Sequence, residues 1–253
     1  MKVFVTGGTG VVGTRAIPAL VAAGHEVTAV ARSADKAALV RELGGRPVEA
    51  DLFDADAVKD AVAGHDAIAN LATSIPPLSR ASRPKAWEAN ERIRRVASRL
   101  LVDAALATGA THVVQESIAF PYVDNGDRWI DEDHPVDHAL GPFGGAGVAE
   151  GETARFTEAG GTGVVLRFAQ FYAAEATHTV AFNRAVRWFR LNPFFGDPDA
   201  YTSFVHADDA GSAVAAALRA PAGIYNVVDD EPMTRAEAGQ VVAAANGRRR
   251  AYA

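Results

Sequence analysis

Four glycines near the start of the chain have the spacing that phosphate chemistry requires. Gly7, Gly8, Gly10 and Gly13 follow a short apolar run, residues 3–6, that is typical of a buried strand. Glycine lets the backbone turn tightly and approach a pyrophosphate, and it lets the next helix pack closely against the strand. Because the N-terminus of that helix attracts anions, we predict a dinucleotide site in this segment.

Arg32 and Ser33 bear on which dinucleotide binds. They follow a second β-rich run, Glu26 to Val30. In a dinucleotide fold this position faces the adenosine ribose, where an acid accepts from the 2′-hydroxyl and an arginine pairs with a 2′-phosphate. Arg32 therefore favours NADP over NAD, with a solvated surface arginine as the alternative.

Groups that could move a proton follow the predicted fifth strand, Thr111 to Gln115. Ser117 could orient a substrate oxygen, and Tyr122 could pass a proton to it. Glu116 stands at the carboxyl end of the same strand, the side of a parallel sheet on which ligands bind. Each residue also has a structural alternative: Ser117 bonded to backbone, Tyr122 packed in a loop, and Glu116 turned into helix packing.

Substrate contacts are expected around the end of the predicted sixth strand, Gly163 to Phe168. Arg167 could clamp a substrate anion or pair with an internal carboxylate. Gln170 and Tyr172 follow it and are expected to line the pocket. An aromatic group farther along the chain could wall an apolar substrate, with part of it in the core; it consists of Trp188, Phe189, Phe194, Phe195 and Tyr201.

The run from Asp131 to His138 contains carboxylates and histidines, which are possible metal ligands. No rigid helical spacing holds them together, and charged loops are usually solvated. We therefore expect no metal site.

Strands and helices alternate along most of the chain and would position these groups. Apolar runs at residues 3–6, 26–30, 46–50, 66–70, 111–115 and 163–168 are separated by segments of helical spacing. Such alternation with short connections predicts an α/β fold with a Rossmann-type doubly wound parallel sheet. One long helix is expected over residues 85–108, with five side chains toward the core: Trp87, Ile93, Val96, Leu100 and Leu101.

The alternation loosens after Phe168. We expect a dinucleotide-binding domain over residues 1–168 and a small C-terminal α/β substrate lobe over residues 169–253, which together form one structural unit. A last strand is expected at Ile224–Val228, followed by a helix that opens with a capping box of Thr234 and Glu237.

The composition narrows the class of protein. The 253 residues are 49% hydrophobic, which suffices for a substantial core, and no cysteine is present to form disulfides or thiolate sites. A net charge of −6 argues against a nucleic-acid surface. No apolar run reaches the length of about 18 residues that a membrane span needs. We expect a cytoplasmic protein that binds a small-molecule substrate, with no nucleic-acid or membrane partner.

Several motifs together resemble the short-chain dehydrogenase/reductase superfamily, specifically its extended and atypical branch, which includes the NAD-dependent epimerase/dehydratase-like proteins. They are Thr6-Gly-Gly-Thr-Gly-Val-Val-Gly13, Asp51-Leu52, Asn70-Leu71-Ala72, Leu166-Arg167-Phe168 and Val205-His-Ala-Asp-Asp209. The resemblance implies that Gly7, Thr9, Gly10, Val11, Val12 and Gly13 lie along the cofactor, Arg32 and Ser33 by the ribose phosphate, Asp51 and Leu52 by the adenine, and Leu71 and Ala72 beside the nicotinamide half. It also implies that His206 enters a helix with Asp208 as N-cap, and that the chain is a monomer or a homodimer.

The resemblance fails at the proton relay. The family uses a serine, which Ser117 matches, and a Tyr-x-x-x-Lys pair in which the lysine lowers the tyrosine pKa. No lysine stands four residues after a tyrosine, and the aligned segment runs from Phe143 to Gly147. A phenyl ring has no proton to give, and glycine has no charge to tune one. The usual acid is therefore absent.

Three functions remain open on these residues. The first is an NADP-dependent oxidoreductase acting on a small carbonyl-containing metabolite, with Tyr122, water or the substrate as proton source and Ser117 as the orienting hydroxyl. The second is a redox-neutral isomerase, lyase or cyclase, which needs no such proton relay. The third is a non-enzymatic NADP sensor.

Overall fold

A parallel sheet of seven strands lies at the centre of the protein. The structure is a computed structural model and describes residues 1–139 and 142–251. The strands of this sheet are β1 (Lys2–Thr6), β2 (Glu26–Val30), β3 (Arg46–Val48), β4 (Ala67–Asn70), β5 (His112–Ile118), β6 (Thr162–Phe168) and β10 (Gly223–Val227). Four short strands lie outside it: β7 (Gln170–Tyr172), β8 (Tyr201–Thr202), β9 (Phe204–His206) and β11 (Met233–Thr234). The sheet order β10-β6-β5-β4-β1-β2-β3 confirms the predicted Rossmann-type doubly wound fold.

Helices cover the sheet. They are α1 (Gly13–Ala22), α2 (Ala34–Glu42), α3 (Ala55–Val62), α4 (Glu88–Arg92), α5 (Ser98–Thr108), α6 (Gly144–Glu158), α7 (Thr177–Arg184), α8 (Ala207–Ala217) and α9 (Arg235–Ala245). Among the helices of the described residues, none is both long and apolar enough to cross a membrane.

The helix predicted over residues 85–108 is not regular. A π-helical turn, Ile93–Ala97, joins α4 to α5. Such a turn accommodates one extra residue and so rotates the side chains within and after it relative to a regular α-helix. This explains why Val96, which the sequence places in the core, is 39% exposed, whereas Leu101 is buried.

Both faces of the sheet carry a hydrophobic core, which is why its strands read as continuous apolar runs. Val5 of β1 packs in one cluster with Ile17 of α1 and Val214 of α8. Phe4, the preceding residue, points to the opposite face and packs in a second cluster with Leu101 of α5. The sheet is thereby fixed from both sides, and only its edges and strand ends are free to bind ligands.

Residues 169–253 do not form a layer apart from this sheet. β10 pairs with β6 in parallel, and it covers Gly223–Val227, one residue earlier than the sequence predicts. α8 packs so closely on α1 that a Cβ added at Gly211 would lie 2.3 Å from the Cβ of Arg15. Outside the main sheet, β7 pairs with β9 and β8 with β11. β10 therefore belongs to the main sheet, and the division at residue 168 stays a prediction.

The two predicted helix caps have different outcomes. The N-cap of α8 is His206, whose ring accepts a hydrogen bond from the Asp208 N–H at 3.3 Å. The expectation that Asp208 caps this helix is therefore wrong, because α8 begins at Ala207 and Asp208 lies within its first turn. The capping box of Thr234 and Glu237 at the start of α9 is confirmed.

The carboxyl ends of β1 and β4 form the crevice that positions the candidate site. The chain builds β2 and β3 on one side of β1, and then β4, β5 and β6 on the other. The winding direction therefore reverses between β1 and β4, and open parallel sheets bind ligands at such a switch point.

Candidate functional site

The glycine loop between β1 and α1 folds tightly onto the end of β4. Gly7 has a φ of +67°, and a Cβ added there would lie 2.2 Å from the Leu71 carbonyl oxygen. A Cβ added at Gly13 would lie 2.2 Å from the Gly7 carbonyl oxygen. These two glycines are therefore required by the loop itself. Gly10 differs, since it is exposed and a Cβ there would meet only the Gly7 oxygen, at 3.3 Å.

The N-terminus of α1 has no side-chain cap; its N-cap residue is Val12. Four other helices in the described part of the chain are capped by a side chain, namely α2 by Ser33, α3 by Asp54, α8 by His206 and α9 by Thr234. The Thr14 and Arg15 N–H groups already donate to the Gly10 and Val12 carbonyl oxygens, so the amides left for an anion at this terminus are those of Val12 and Gly13. A glycine cradle beside uncapped amides fits the pyrophosphate of a dinucleotide.

Val11 of the loop also contacts the far part of the chain. It packs against Ala173, Ala176 and Ala207. Arg15, one turn into α1, forms ion pairs with Glu175 and Asp208. Residues after β7 and at the start of α8 therefore cover one side of the loop and enclose the crevice.

A basic surface follows β2. Arg32 and Ser33 are exposed, and the Ser33 hydroxyl accepts from the Lys36 N–H at 3.4 Å. Lys36 is exposed too, which adds a second cation that the sequence did not single out. A cavity of about 270 Å³ lies here between α2 and β3, lined by Ala31, Arg32, Ser33, Ala34, Ala37, Arg41, Pro47, Val48 and Glu49. These groups suit a phosphate on the adenosine ribose.

The residues expected by the adenine and the nicotinamide lie at the same edge of the sheet. Asp51 is exposed after β3, and its Oδ1 accepts from the Phe53 N–H at 2.9 Å. Leu52 is half-buried. Leu71 is buried against the glycine loop, and Ala72, half-buried, follows it. The structure thus brings the residues expected along the cofactor to one crevice.

A buried polar chain links the three strands at this edge. The Thr6 hydroxyl donates to Asn70 Oδ1 at 2.6 Å, and Asn70 Nδ2 donates to Gln115 Oε1 at 2.8 Å and to the Ser98 hydroxyl at 3.1 Å. Thr6 and Asn70 are the last residues of β1 and β4, and Gln115 lies within β5, opposite Asn70. This series of hydrogen bonds therefore fixes the relative positions of the three strands beside the site.

Ser117 is fully buried and already bonded. Its hydroxyl donates to Glu150 Oε1 at 2.5 Å. Glu150, on α6, also accepts from Arg167, from Nε to Oε1 at 3.0 Å and from Nη2 to Oε2 at 2.7 Å. Arg167 thus forms an internal ion pair, the structural alternative that the sequence left open for it. All three side chains are at least nine-tenths buried, so the pair is desolvated.

Tyr122 joins the same network. Its hydroxyl accepts from Arg167 Nη1 at 2.9 Å and donates to Asn226 Oδ1 at 2.7 Å. Burial by itself would lower the pKa of Arg167, but its hydrogen bonds with Glu150 and Tyr122 raise that pKa above its ordinary value. Arg167 therefore remains a cation, and a catalytic role for Ser117 or Tyr122 requires that these hydrogen bonds exchange.

Glu116 forms a second buried pair. Arg94 Nη2 lies 2.8 Å from both carboxylate oxygens of Glu116. Burial raises the pKa of Glu116, an effect that Arg94 only partly offsets. Arg94 lies on the π-helical turn, and its Nε and Nη1 have no hydrogen-bond partner among the described residues. No local sequence pattern indicates Arg94, because its partner is 22 residues away.

The start of α6 has no room for a proton relay of the family type. Phe143 is its N-cap, with no side-chain hydrogen bond. A Cβ added at Gly147 would lie 2.7 Å from the ring of His138, and one at Gly145 would lie 2.9 Å from Glu91 Oε1. A lysine at position 147 would therefore have to displace His138. The ring of Phe143 contacts Phe120 and Trp87 instead.

Gln170 and Tyr172 lie on β7. Gln170 is half-buried, and its N–H donates to the Ser203 carbonyl at 3.2 Å. Tyr172 is 41% exposed and packs edge-on against His206, with ring centroids 5.0 Å apart. Partial burial and the nearby Asp229 raise the pKa of Tyr172. Gln170 and Tyr172 thus lie directly before the residues that cover the glycine loop, and neither belongs to the buried network.

The aromatic residues predicted to wall a pocket are divided between core and surface. Trp188, Phe189 and Phe195 are at least 70% exposed. Phe194 instead packs edge-on between Phe182 and Phe204. A cavity of about 490 Å³ beside α7 is lined by Glu175, Thr177, Val180, Ala181, Arg184, Ala185 and Phe189. Within the described ranges, no three His, Asp or Glu side chains are grouped so as to hold a metal ion.

Comparison with known proteins agrees with this geometry. The model of the NAD dependent epimerase/dehydratase family matches residues 3–228, and the chain belongs to that family. A curated relative, the 3-diazoavenalumate denitrifying reductase of a Streptomyces species, is 36% identical over 245 residues, which are 94% of this chain and 79% of that protein.

Solved structures share the fold. The UDP-glucose 4-epimerase of Thermus thermophilus, in complex with NAD, aligns with a TM-score of 0.77 at 24% identity and covers 98% of this chain and 84% of its own. A dTDP-glucose 4,6-dehydratase of Streptomyces venezuelae, with NAD bound, aligns with a TM-score of 0.81 at 20% identity and covers 98% of this chain and 82% of its own. At these identities the likeness shows the fold alone.

Proposed function

We propose that the protein is an NADP-dependent reductase whose substrate accepts a hydride without needing a proton from a side chain. The observation that carries this proposal is the state of the two predicted proton donors. The Ser117 hydroxyl donates to Glu150, and the Tyr122 hydroxyl donates to Asn226. Each has one proton, and that proton already lies in a hydrogen bond within the protein.

The missing relay at α6 supports the same conclusion. Reduction of a carbonyl group consumes a hydride and a proton, so a reductase of that kind benefits from a positioned acid. Phe143 cannot supply one, and Gly147 leaves no space for a lysine beside His138. A substrate that needs only the hydride makes the relay unnecessary.

Replacement of N₂ on a diazonium carbon by hydrogen is a reaction that needs a hydride but no proton. The incoming hydride brings the electron pair of the new C–H bond, the C–N bond breaks, and N₂ leaves with the electrons of that bond. No proton is consumed. The name of the Streptomyces relative describes a denitrifying reductase that acts on a diazo compound. We therefore propose as the substrate class an aromatic diazonium compound, or a diazo compound that reacts in its protonated, diazonium form.

The cofactor assignment rests on the crevice and its basic edge. The glycine cradle and the amides of Val12 and Gly13 would hold the pyrophosphate, and Arg32, Ser33 and Lys36 would bind the ribose 2′-phosphate. A reduced nicotinamide, when bound, supplies a hydride. Leu71 and Ala72 would lie against its ring, and the segment covering Val11 would exclude water from it.

The four residues predicted to bind the substrate would have two different roles. Gln170 and Tyr172, on β7 directly before the residues that cover the glycine loop, would contact the substrate. Glu116 and Arg167 would act indirectly, because each forms a buried ion pair that holds a strand end in place. The cytoplasmic location remains a proposal that the charge and composition favour.

A small carbonyl compound is the second substrate class. It is favoured by the contact of both hydroxyls with one ion pair, since Ser117 bonds to Glu150 and Tyr122 to Arg167. If these bonds exchange when substrate enters, Ser117 would orient the carbonyl oxygen and Tyr122 would protonate it.

The test uses NADPH with two panels, 4-carboxybenzenediazonium and a set of small aldehydes and ketones. We expect protein-dependent NADPH oxidation with the diazonium ion, one N₂ per NADPH, above the rate without protein. The Gly7→Ala variant, whose added Cβ would meet Leu71, should lose this activity. Oxidation with the carbonyl panel alone would establish the second class. No oxidation with either panel, despite NADPH binding, would overturn the reductase proposal and favour a redox-neutral enzyme or a sensor.

A further inference from the structure

Three aromatic rings meet at the carboxyl edge of the sheet, beside the position where the family's tyrosine would stand. Phe143, the N-cap of α6, has its ring centroid 6.1 Å from that of Phe120, with 27° between the ring planes. Trp87 lies edge-on to Phe143 at 6.2 Å. We call Trp87, Phe120 and Phe143 the aromatic wall.

The aromatic wall belongs to the reaction end of the crevice. Phe120 follows β5 by two residues, and Trp87 directly precedes α4. The loop after β4 is tied to α4, because Asn90 Oδ1 accepts from the Ser74 N–H at 3.0 Å. The wall is thus formed by the segments that follow β4 and β5, the two strands whose ends would face the nicotinamide.

The wall offers ring surface and no hydrogen-bonding group. The two phenylalanines have none, and the Trp87 Nε1–H already donates to the Ala81 carbonyl at 2.8 Å. Phe120 is nevertheless 48% exposed, although its ring stacks on that of Phe143. An exposed ring that stacks on another leaves a planar apolar surface on which a further ring can stack.

Other aromatic groups of the described chain do not have this combination. Phe182, Phe194 and Phe204 pack edge-on against each other as part of the lobe. Trp188 and Phe189 are exposed, but they lie at the end of the segment after α7, away from the strand ends. Tyr172 is also exposed near the crevice, but its ring carries a hydroxyl and packs edge-on against His206, whereas the aromatic wall offers stacked rings without a free hydrogen-bonding group.

We propose that the aromatic wall binds the ring of a planar aromatic substrate, which carries the group to be reduced toward the nicotinamide. The proposal rests on the proposed function for the identity of the crevice as a substrate site. It goes beyond that function because it names the scaffold of the substrate and the residues that recognise it. Stacking on Phe143 takes the place of the contact that a tyrosine hydroxyl would make.

The experiment measures binding without chemistry. The protein saturated with NADP⁺ is titrated by calorimetry with 2-naphthoate and with decahydronaphthalene-2-carboxylate, which have the same charge and similar bulk but differ in planarity and in π electrons. We expect 2-naphthoate to bind about tenfold more tightly, and Phe143→Leu to weaken it by about five- to tenfold, which is the effect of one lost ring–ring contact. Phe120→Leu should act in the same direction.

The control is Phe189→Leu, which removes an exposed ring that lines the 490 Å³ cavity beside α7. It should leave the affinity for 2-naphthoate within about twofold. Equal affinity of the two probes would overturn the proposal, and so would loss of 2-naphthoate binding in Phe189→Leu but not in Phe143→Leu. Unchanged NADP⁺ affinity in each variant shows that the variant is folded. Because no hydride moves in this assay, a failed reductase test leaves its outcome unaffected.

Discussion

The two halves of the crevice differ in what forms them: backbone in one half and buried side chains in the other. At the ends of β1 and β4, the cradle consists of backbone, and the glycines are there because a Cβ at Gly7 or Gly13 would collide with a carbonyl oxygen 2.2 Å away. At the ends of β5 and β6, the site consists of buried side chains in ion pairs, Arg167 with Glu150 and Arg94 with Glu116. The first half is shaped to receive a ligand, whereas the second half is largely occupied by its own hydrogen bonds.

This difference explains how the chain can keep a cofactor site although the family's proton relay is absent. A backbone cradle keeps its function as long as its glycines remain. A proton relay depends on free side-chain groups, and here the groups of the expected type are bonded to Glu150, Arg167 and Asn226. The crevice can thus retain the cofactor while the chemistry beside it changes.

The largest expected effect is at the cradle. Gly7→Ala should abolish NADP binding, because the new Cβ would force the loop away from Leu71. The matched control is Gly24→Ala, since Gly24 also has a positive φ of +84° but nothing lies within 4 Å of its added Cβ. That control should lower the free energy of unfolding by about 1 kcal/mol and keep the affinity. Calorimetric titration with NADP⁺ decides; equal affinity in both variants would show that the cradle does not bind the cofactor.

The next effect is at the buried network. Glu150→Gln leaves Arg167 charged and without its carboxylate, so the free energy of unfolding should fall by about 3–5 kcal/mol. Glu152→Gln, on the same helix, removes the partner of the more exposed Arg155 and should cost less than about 1 kcal/mol. Urea unfolding measures both. Similar losses would mean that the network contributes no more than a surface ion pair.

A substitution at Arg32 tests whether the basic surface after β2 binds the 2′-phosphate. Arg32→Ala should weaken NADP binding by about 10- to 100-fold, the value of a charge-assisted contact with phosphate, and change NAD binding by less than about twofold. Arg99→Ala, an exposed arginine on α5, should change neither affinity. If NAD and NADP lose affinity equally in Arg32→Ala, the residue does not read the 2′-phosphate.

A smaller effect concerns Glu116. Burial raises its pKa in the folded protein above the ordinary value of 4.5, so between these two values the folded state holds a proton that the unfolded state has released. Stability from this group is therefore complete below about pH 4.5 and is lost as the pH rises, by about 1.4 kcal/mol for each unit by which the pKa is raised. Urea unfolding of the wild type against Glu116→Gln, over a pH series, should show this decline. A wild type that gains stability relative to the variant with rising pH would reverse the assignment.

The backbone cradle could be predicted from the sequence, whereas the buried side-chain network could not. The glycine spacing and the alternating runs identify the sheet and the cradle because both depend on local backbone geometry. The partner of Ser117 is 33 residues away and that of Tyr122 is 104 residues away, so no local pattern indicates them. The π-helical turn that carries Arg94 is likewise invisible to a helical periodicity.

The most direct test of the account is the origin of the hydrogen that replaces nitrogen in the product. The Ser117→Ala/Tyr122→Phe double variant is reacted in single turnover with 4-carboxybenzenediazonium and NADPH that carries deuterium at both C4 positions, and its product is analysed by mass spectrometry. We expect a rate within about threefold of the wild type and one deuterium in each product molecule, because neither hydroxyl supplies a proton. A loss of about 10²- to 10⁴-fold, as removal of a general acid causes, or a product whose new hydrogen comes from water, would contradict it.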